Sequence, residues 1–134
     1  MPRAQMSVVM RTRVWRPRER GVYEVAAKGA PEVVARVCGM SDERQAHIAD
    51  EIEVMAAQGL RVLGVAHAQW RQPELPARQS EFPFQWVGLV GLADPVRPTV
   101  PDAIAECAQA GVRVKMMTGD YPVTAQSIAR AIGL

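Results

Sequence analysis

The sequence predicts two architectures in series: an α+β part built on antiparallel strands, then an α/β part in the form of a parallel βαβα segment. Three observations predict it. Two short β-prone runs, residues 6–10 and 21–27, flank a polar segment around Arg16-Pro17-Arg18-Glu19-Arg20, which is the pattern of an antiparallel hairpin. In the second half, β-prone and helical runs alternate, and strand–helix–strand–helix order implies parallel strands. Between the halves, residues 71–85 carry Pro73, Pro76 and Pro83 among charged and polar neighbours, a loop or linker that marks a boundary.

Each element has a local reason. Lys28-Gly29-Ala30-Pro31-Glu32 is a strand-to-helix turn, with Pro31 placed for the first helical position. Val33, Val34, Val37 and Cys38 fall on one helical face, and Gly39 stops that helix. Ser41 is placed to cap a second helix, whose first turn carries Asp42 and Glu43 in the sense that complements the helix dipole. Ile48, Ile52 and Met55 form its apolar stripe, Gly59 ends it, and residues 60–66 follow as a strand. In the second half, residues 87–92 are a continuous apolar run, typical of a strand covered on both faces. Thr99 and Asp102 open a helix containing Ile104, Cys107 and Ala108, closed by Gly111. Residues 112–117 read as another strand, and a final helix runs through Ala131. One βαβα unit is too little for a complete doubly wound sheet.

Composition sets the outer limits. The 134 residues are 49% hydrophobic and 22% charged, a globular rather than a disordered balance. Aromatic residues are only 5%, so the expected core is mainly Val, Leu, Ile, Met and Ala. The longest apolar run, residues 86–93, falls far short of the ~18 residues a membrane helix needs, so no direct membrane span is expected. The arginine-rich front, with no apolar run behind it, predicts no secretory leader. Cys38 and Cys107 stand alone, and His47 and His67 lack ligand spacing, so no zinc site is expected. Arg3, Arg11, Arg13, Arg16, Arg18 and Arg20 face only Glu19. Hydrophobic residues alternate into that stretch, which favours a solvated hairpin tip over a nucleic-acid arm.

Several candidate site residues lie at strand ends, where open α/β sheets bind ligands. In Thr118-Gly119-Asp120, a hydroxyl and free backbone N–H groups suit phosphoryl oxygens, and a carboxylate suits Mg²⁺; equally, Asp120 caps the helix and Gly119 permits a tight turn. Asp94 and Arg97, three apart beyond a strand, either hold a nucleotide or pair with each other. At Lys28-Gly29 the missing side chain lets a planar ligand approach the backbone with Lys28 as donor, or simply makes a turn. Arg61 shares a strand face with Leu63 and Val65, where a charge needs a partner, a ligand or a route to water.

The order of these motifs is more specific than any one of them. Lys28-Gly29-Ala30-Pro31-Glu32, Gly59-Leu60-Arg61-Val62-Leu63, Gly91-Leu92-Ala93-Asp94-Pro95-Val96-Arg97 and Met117-Thr118-Gly119-Asp120, with Thr124-Ala125 and Ile128-Ala129, together resemble the P-type cation-transporting ATPases, most of all the calcium- or sodium/potassium-like type II branch. The resemblance runs from Met6-Ser7-Val8-Val9 to Ile132-Gly133. It implies that residues 1–71 are the C-terminal part of a nucleotide-binding domain, 72–85 a linker, and 86–134 the early part of a phosphorylation domain with a haloacid-dehalogenase-like, Rossmann-like fold. It also implies ATP and Mg²⁺ as ligands and a cytoplasmic location for this region of an integral membrane pump. By the same resemblance, Lys28 and Gly29 line an adenosine pocket, Arg61 reaches toward the ATP phosphates, Asp94 and Arg97 lie near the nucleotide and hinge, and Thr118, Gly119 and Asp120 contact the transferred phosphoryl group, with Asp120 near Mg²⁺. Val96 stands where the family has a second proline.

Other family motifs do not occur in these residues. There is no Asp-Lys-Thr-Gly-Thr nucleophile string and no Gly-Asp-Gly-x-Asn-Asp segment, and the family's adenine-stacking aromatic is expected just upstream of Met1. The expectation is therefore an internal piece of a pump with residual nucleotide binding at most and no complete catalytic or metal site. Two other readings stand beside it: a free-standing haloacid-dehalogenase-like phosphatase with Asp94 as nucleophile, and a non-catalytic remnant whose exposed strand edges meet missing pump segments or a second copy.

Overall fold

The computed structural model describes residues 10–15 and 22–134. They fall into two compact units: residues up to 47 together with 63–90, and residues 48–62 together with 91–134. The elements in chain order are β1 (Arg11–Trp15), β2 (Tyr23–Gly29), α1 (Pro31–Val37), α2 (Asp42–Ala57), β3 (Arg61–Trp70), β4 (Gln85–Leu92), α3 (Val100–Gln109) and α4 (Pro122–Ala131). A four-stranded sheet in the order β1-β2-β3-β4, accompanied by four helices, gives an α/β organisation.

In the first unit the pairings β1–β2 and β2–β3 are both antiparallel. Strand alternation sorts the side chains. Val25, Ala27 and Gly29 of β2, with Gly64, Ala66 and Ala68 of β3, are buried, whereas Lys28, His67 and Gln69 on the opposite face are exposed. Met10, Val25, Ala27, Val34, Ala66, Ala68, Phe82 and Phe84 form one buried cluster, against which Trp70 and Trp86 pack. Pro31 starts α1, its ring fixing a φ suited to the first helical turn. That helix lies so close to β3 that a side chain at Gly64 would meet Pro31 Cα at 2.9 Å and the Trp86 ring at 3.0 Å.

The segment between β3 and β4 is anchored rather than free. Tyr23 Oη donates to the Pro73 carbonyl at 3.3 Å, and Trp70 Nε1 donates to the Glu74 carbonyl at 2.8 Å. Beyond a single 3-10 turn (Gln79–Glu81), Phe82 and Phe84 enter the core, with Phe82 set edge-on to Trp70 at a centroid distance of 5.4 Å. The scarce aromatic residues thus supply more of this core than composition suggested.

The second unit holds the last part of α2, the ends of β3 and β4, and helices α3 and α4. Gly59, at φ 76°, turns the chain out of α2 in a conformation that other residues resist. Thr124, the one buried polar or charged residue among those described, ties α4 to the chain just ahead of β3, its Oγ1 donating to the Leu60 carbonyl at 3.1 Å.

Three sequence expectations change. First, a strand forms at Arg11–Trp15, a stretch not read as one; of the expected run 6–10 only Met10 lies within the described residues, and the rest of that expectation falls outside them. The register explains why: Thr12 and Val14 pair with Ala27 and Val25 toward the core, leaving Arg13 and Trp15 on the open face, so a basic stretch forms a strand by alternation. The expected hairpin tip at residues 16–20 lies outside the described residues. Second, β4 is not sheathed on both faces. It extends the sheet beside β3, and Val87 remains 65% exposed. Third, residues 112–117 carry no strand ladder, and Met117 is 95% exposed. A parallel strand needs a neighbour supplied by a crossover connection, and none of the described residues provides one. Helices α3 and α4 form as expected; the parallel sheet between them does not.

Candidate functional site

In the second unit, a pocket of about 430 Å³ is lined by Arg61, Asp94, Arg97 and Asp120, together with Gly59, Pro95, Val100 and residues of α4. The four charged residues come from three separate stretches of sequence. Arg61 begins β3, Asp94 and Arg97 follow β4, and Asp120 precedes α4. The Thr124–Leu60 hydrogen bond fixes the start of α4 against the residue before Arg61, which brings Asp120 to it.

Arg61 Nε lies 3.5 Å from Asp120 Oδ1, with side-chain exposures of 67% and 29%. An ion pair this open to water is worth only about 0–1 kcal/mol, so an anion entering the pocket displaces it at little cost. The other side of the Asp120 carboxylate is held locally: Thr118 Oγ1 donates to Oδ2 at 3.2 Å and accepts the Asp120 backbone N–H at 3.1 Å. This closed turn changes one sequence alternative. Asp120 does not cap α4, whose N-cap is Tyr121 with no side-chain capping bond. Asp94 and Arg97 line the pocket without pairing to each other, and among the described residues neither has an ion-pair partner. Thr118 and Gly119 adjoin this cluster through Asp120 but do not line the pocket themselves.

Lys28 and Gly29 belong to the first unit and are not part of that cluster. Lys28 lines a second cavity, of about 700 Å³, with Met10, Thr12, Arg13, Trp15, Ala26, Ala27, Val65 and Gln79. At Gly29 a side chain would meet Met10 Cα at 3.1 Å, so the neighbouring backbone at Met10 lies close to the missing Cβ. Sequence reasoning missed Arg13 and Trp15 in this cavity. The available signal was parity, because Arg13, Trp15, Ala26 and Lys28 share one face once the β1–β2 register is known.

Similarity to known proteins bears on what these sites belong to. Residues 3–99 match the family model for the P-type ATPase cytoplasmic domain N. The chain is 39% identical over 129 residues to the sodium/potassium exporting P-type ATPase cta3 of Schizosaccharomyces pombe, covering 87% of this chain and 12% of that protein. It is 36% identical to the plasma membrane calcium-transporting ATPase 4 of Bos taurus, over 85% of this chain and 11% of that protein, and 34% identical to the sodium/potassium-transporting ATPase subunit alpha of Hydra vulgaris, over 84% and 13%. The chain therefore spans about an eighth of the length of these relatives. No helix among the described residues is long and apolar enough to cross a membrane. With motif order, family model and relatives in agreement, the chain belongs to the P-type cation-transporting ATPase family.

Proposed function

We propose that this chain is part of the cytoplasmic ATP-binding and phosphorylation region of a cation pump, binding nucleotide through Lys28, Arg61, Asp94 and Arg97 without carrying out phosphoryl transfer by itself. In this reading residues 1–71 belong to the nucleotide-binding domain, 72–85 link, and 86–134 begin the haloacid-dehalogenase-like phosphorylation domain. The observation that carries it is the convergence of Arg61, Asp94, Arg97 and Asp120 on one pocket. Arg97, with no ion-pair partner among the described residues, offers its guanidinium to phosphate oxygens, and Arg61 offers a second on release from Asp120. Gly29 stands beside Lys28 on β2, and Thr118 and Gly119 position Asp120.

Mg²⁺ fits this chain only in part. Among the described residues no group of three or more His, Cys, Asp or Glu side chains gathers in a way that could hold a metal ion. Asp120 offers one carboxylate, already engaged by Arg61 and Thr118. The comparisons favour neither a free-standing phosphatase nor a non-catalytic remnant.

ATP titration of the full chain, followed by NMR, tests the reading. The expected result is saturable change at Lys28, Arg61 and Arg97, with R61A weakening binding about tenfold, the loss typical of one charged hydrogen bond. ATP that leaves all three signals unmoved overturns it.

A further inference from the structure

Residues 73–78 run Pro73-Glu74-Leu75-Pro76-Ala77-Arg78, a Pro-x-x-Pro spacing with a cation two places beyond the second proline. Neither of the two pockets is lined by any of them. All but the half-buried Pro76 are exposed. Leu75, at 49% exposure, is a large apolar side chain that the fold leaves in water. Arg78 has no ion-pair partner among the described residues. The segment is anchored through its backbone: Tyr23 Oη donates to the Pro73 carbonyl and Trp70 Nε1 to the Glu74 carbonyl, so these bonds engage no side chain of the segment.

Proline sets the form such a stretch takes when it straightens. Its ring holds φ near −65°, close to the polyproline II value, and it lacks the N–H that a helix or ladder would use. Polyproline II turns once every three residues, giving a prism with three edges. In that form Pro73 and Pro76 share one edge, Leu75 and Arg78 a second, and Glu74 and Ala77 the third. The first two edges carry no acid. The segment's one acidic side chain, Glu74, lies on the edge turned away from them.

We infer that residues 73–78 are a docking segment for a polyproline-reading domain of the SH3 kind, whose groove is lined by aromatic rings. Aromatic rings take Pro73, Leu75 and Pro76, and a carboxylate pocket takes the planar fork of the Arg78 guanidinium. From Pro73 to Arg78 the extended span is about 16 Å at ~3.1 Å per residue. The acidic pocket therefore belongs at the Arg78 end, which fixes the direction in which the groove reads the chain. In the free chain, bends at 72–74 and 77–78 flank the straighter Leu75-Pro76 pair, and Arg78 is already extended at φ −119° and ψ 140°. Docking straightens the first bend and draws the Glu74 carbonyl away from the Trp70 indole. Nucleotide binding is not required, since none of these residues lines either pocket.

The probe is an isolated SH3 domain that binds Pro-x-x-Pro-x-Arg peptides, titrated into the full isotope-labelled chain and followed by NMR. Saturable shifts are expected at Leu75, Ala77 and Arg78, with movement of the Trp70 indole N–H as its bond to Glu74 opens. R78E, and Pro73→Ala combined with Pro76→Ala, are each expected to weaken binding about tenfold or more. E74A, on the edge turned away, should bind as the native chain does. Shifts that avoid residues 73–78, binding that survives both disruptive variants, or no saturable binding at millimolar probe each overturn the inference. The native-chain shifts need no variant to fold, and the Phe82 and Phe84 signals of each free variant show whether its core is intact.

Discussion

Thr12 Oγ1 is a buried polar atom with no hydrogen-bond partner among the described residues, although its strand neighbours are well paired. Leaving a hydroxyl unsatisfied out of water costs about 1–3 kcal/mol, and a methyl group of the same size carries no such penalty. T12V is therefore expected to raise stability by about 1 kcal/mol, read as a higher midpoint in urea. Glu24 gives a prediction of the opposite kind. Its hydrogen bond from His67 lowers its pKa below the ordinary 4.5, with Gln69 acting in the same direction against a desolvation that raises it. A carboxylate depressed in the folded state contributes stability above its unfolded pKa and loses that contribution as pH falls through the folded value. Unfolding followed between pH 6 and 3 should show this loss in the native chain and a shallower acid dependence in E24Q; equal slopes would remove the carboxylate from the account.

Where elements meet, α1 lies close against β3. Pro31 Cα and the Trp86 ring already fill the space at Gly64, so even a methyl group forces backbone or a wedged aromatic to move. Overpacking of this kind costs about 1–3 kcal/mol, and G64A is expected to lose that much in chemical denaturation. The helices around this contact were legible because their signals are local: Pro31 opens α1, Gly59 closes α2, and apolar spacing marks the faces between. The strands were less legible because a strand is completed by its neighbour. Arg11-Thr12-Arg13-Val14-Trp15 carries too many arginines to read as a strand alone, and its alternation becomes a strand pattern only with β2 beside it. Residues 112–117 have strand composition but no ladder, since their hydrogen bonds depend on a partner absent from the described residues. Thr124 shows the same dependence on distant sequence. Its hydroxyl anchors α4 to Leu60, and T124V is expected to destabilise the second unit by about 1–3 kcal/mol by leaving that carbonyl unpaired, measured as faster amide exchange along α4.

Across the whole molecule, the amino-acid sequence alone made the family readable through motif order, but not the meeting of Arg61 with Asp94, Arg97 and Asp120 in one pocket, since Arg61 opens β3 and the stretch before Asp120 forms no strand ladder among the described residues. The Trp15 cavity was not readable, since it depends on a cross-strand register that no motif encodes. What these sites can do together follows from the groups they contain. Transfer of a phosphoryl group to an aspartate requires a nucleophile in line with the phosphorus, a metal to bridge the phosphate oxygens, and cations to take up developing charge. The second unit gathers cations in Arg61 and Arg97, but its carboxylates are otherwise committed or poorly placed: Asp120 is held by Arg61 and Thr118, and Asp94 lies exposed after β4, with no metal-holding cluster among the described residues. On the proposed reading, the chain binds ATP without turning it over. Phosphate release with ATP and Mg²⁺ should stay at the level of buffer, and no label from the terminal phosphate should be retained on the acid-precipitated protein. D120N should leave ATP affinity unchanged or tighten it severalfold, because it frees Arg61 at a cost of no more than about 1 kcal/mol. Mg²⁺-dependent release abolished by D94N would instead make Asp94 a working nucleophile and the chain an enzyme on its own.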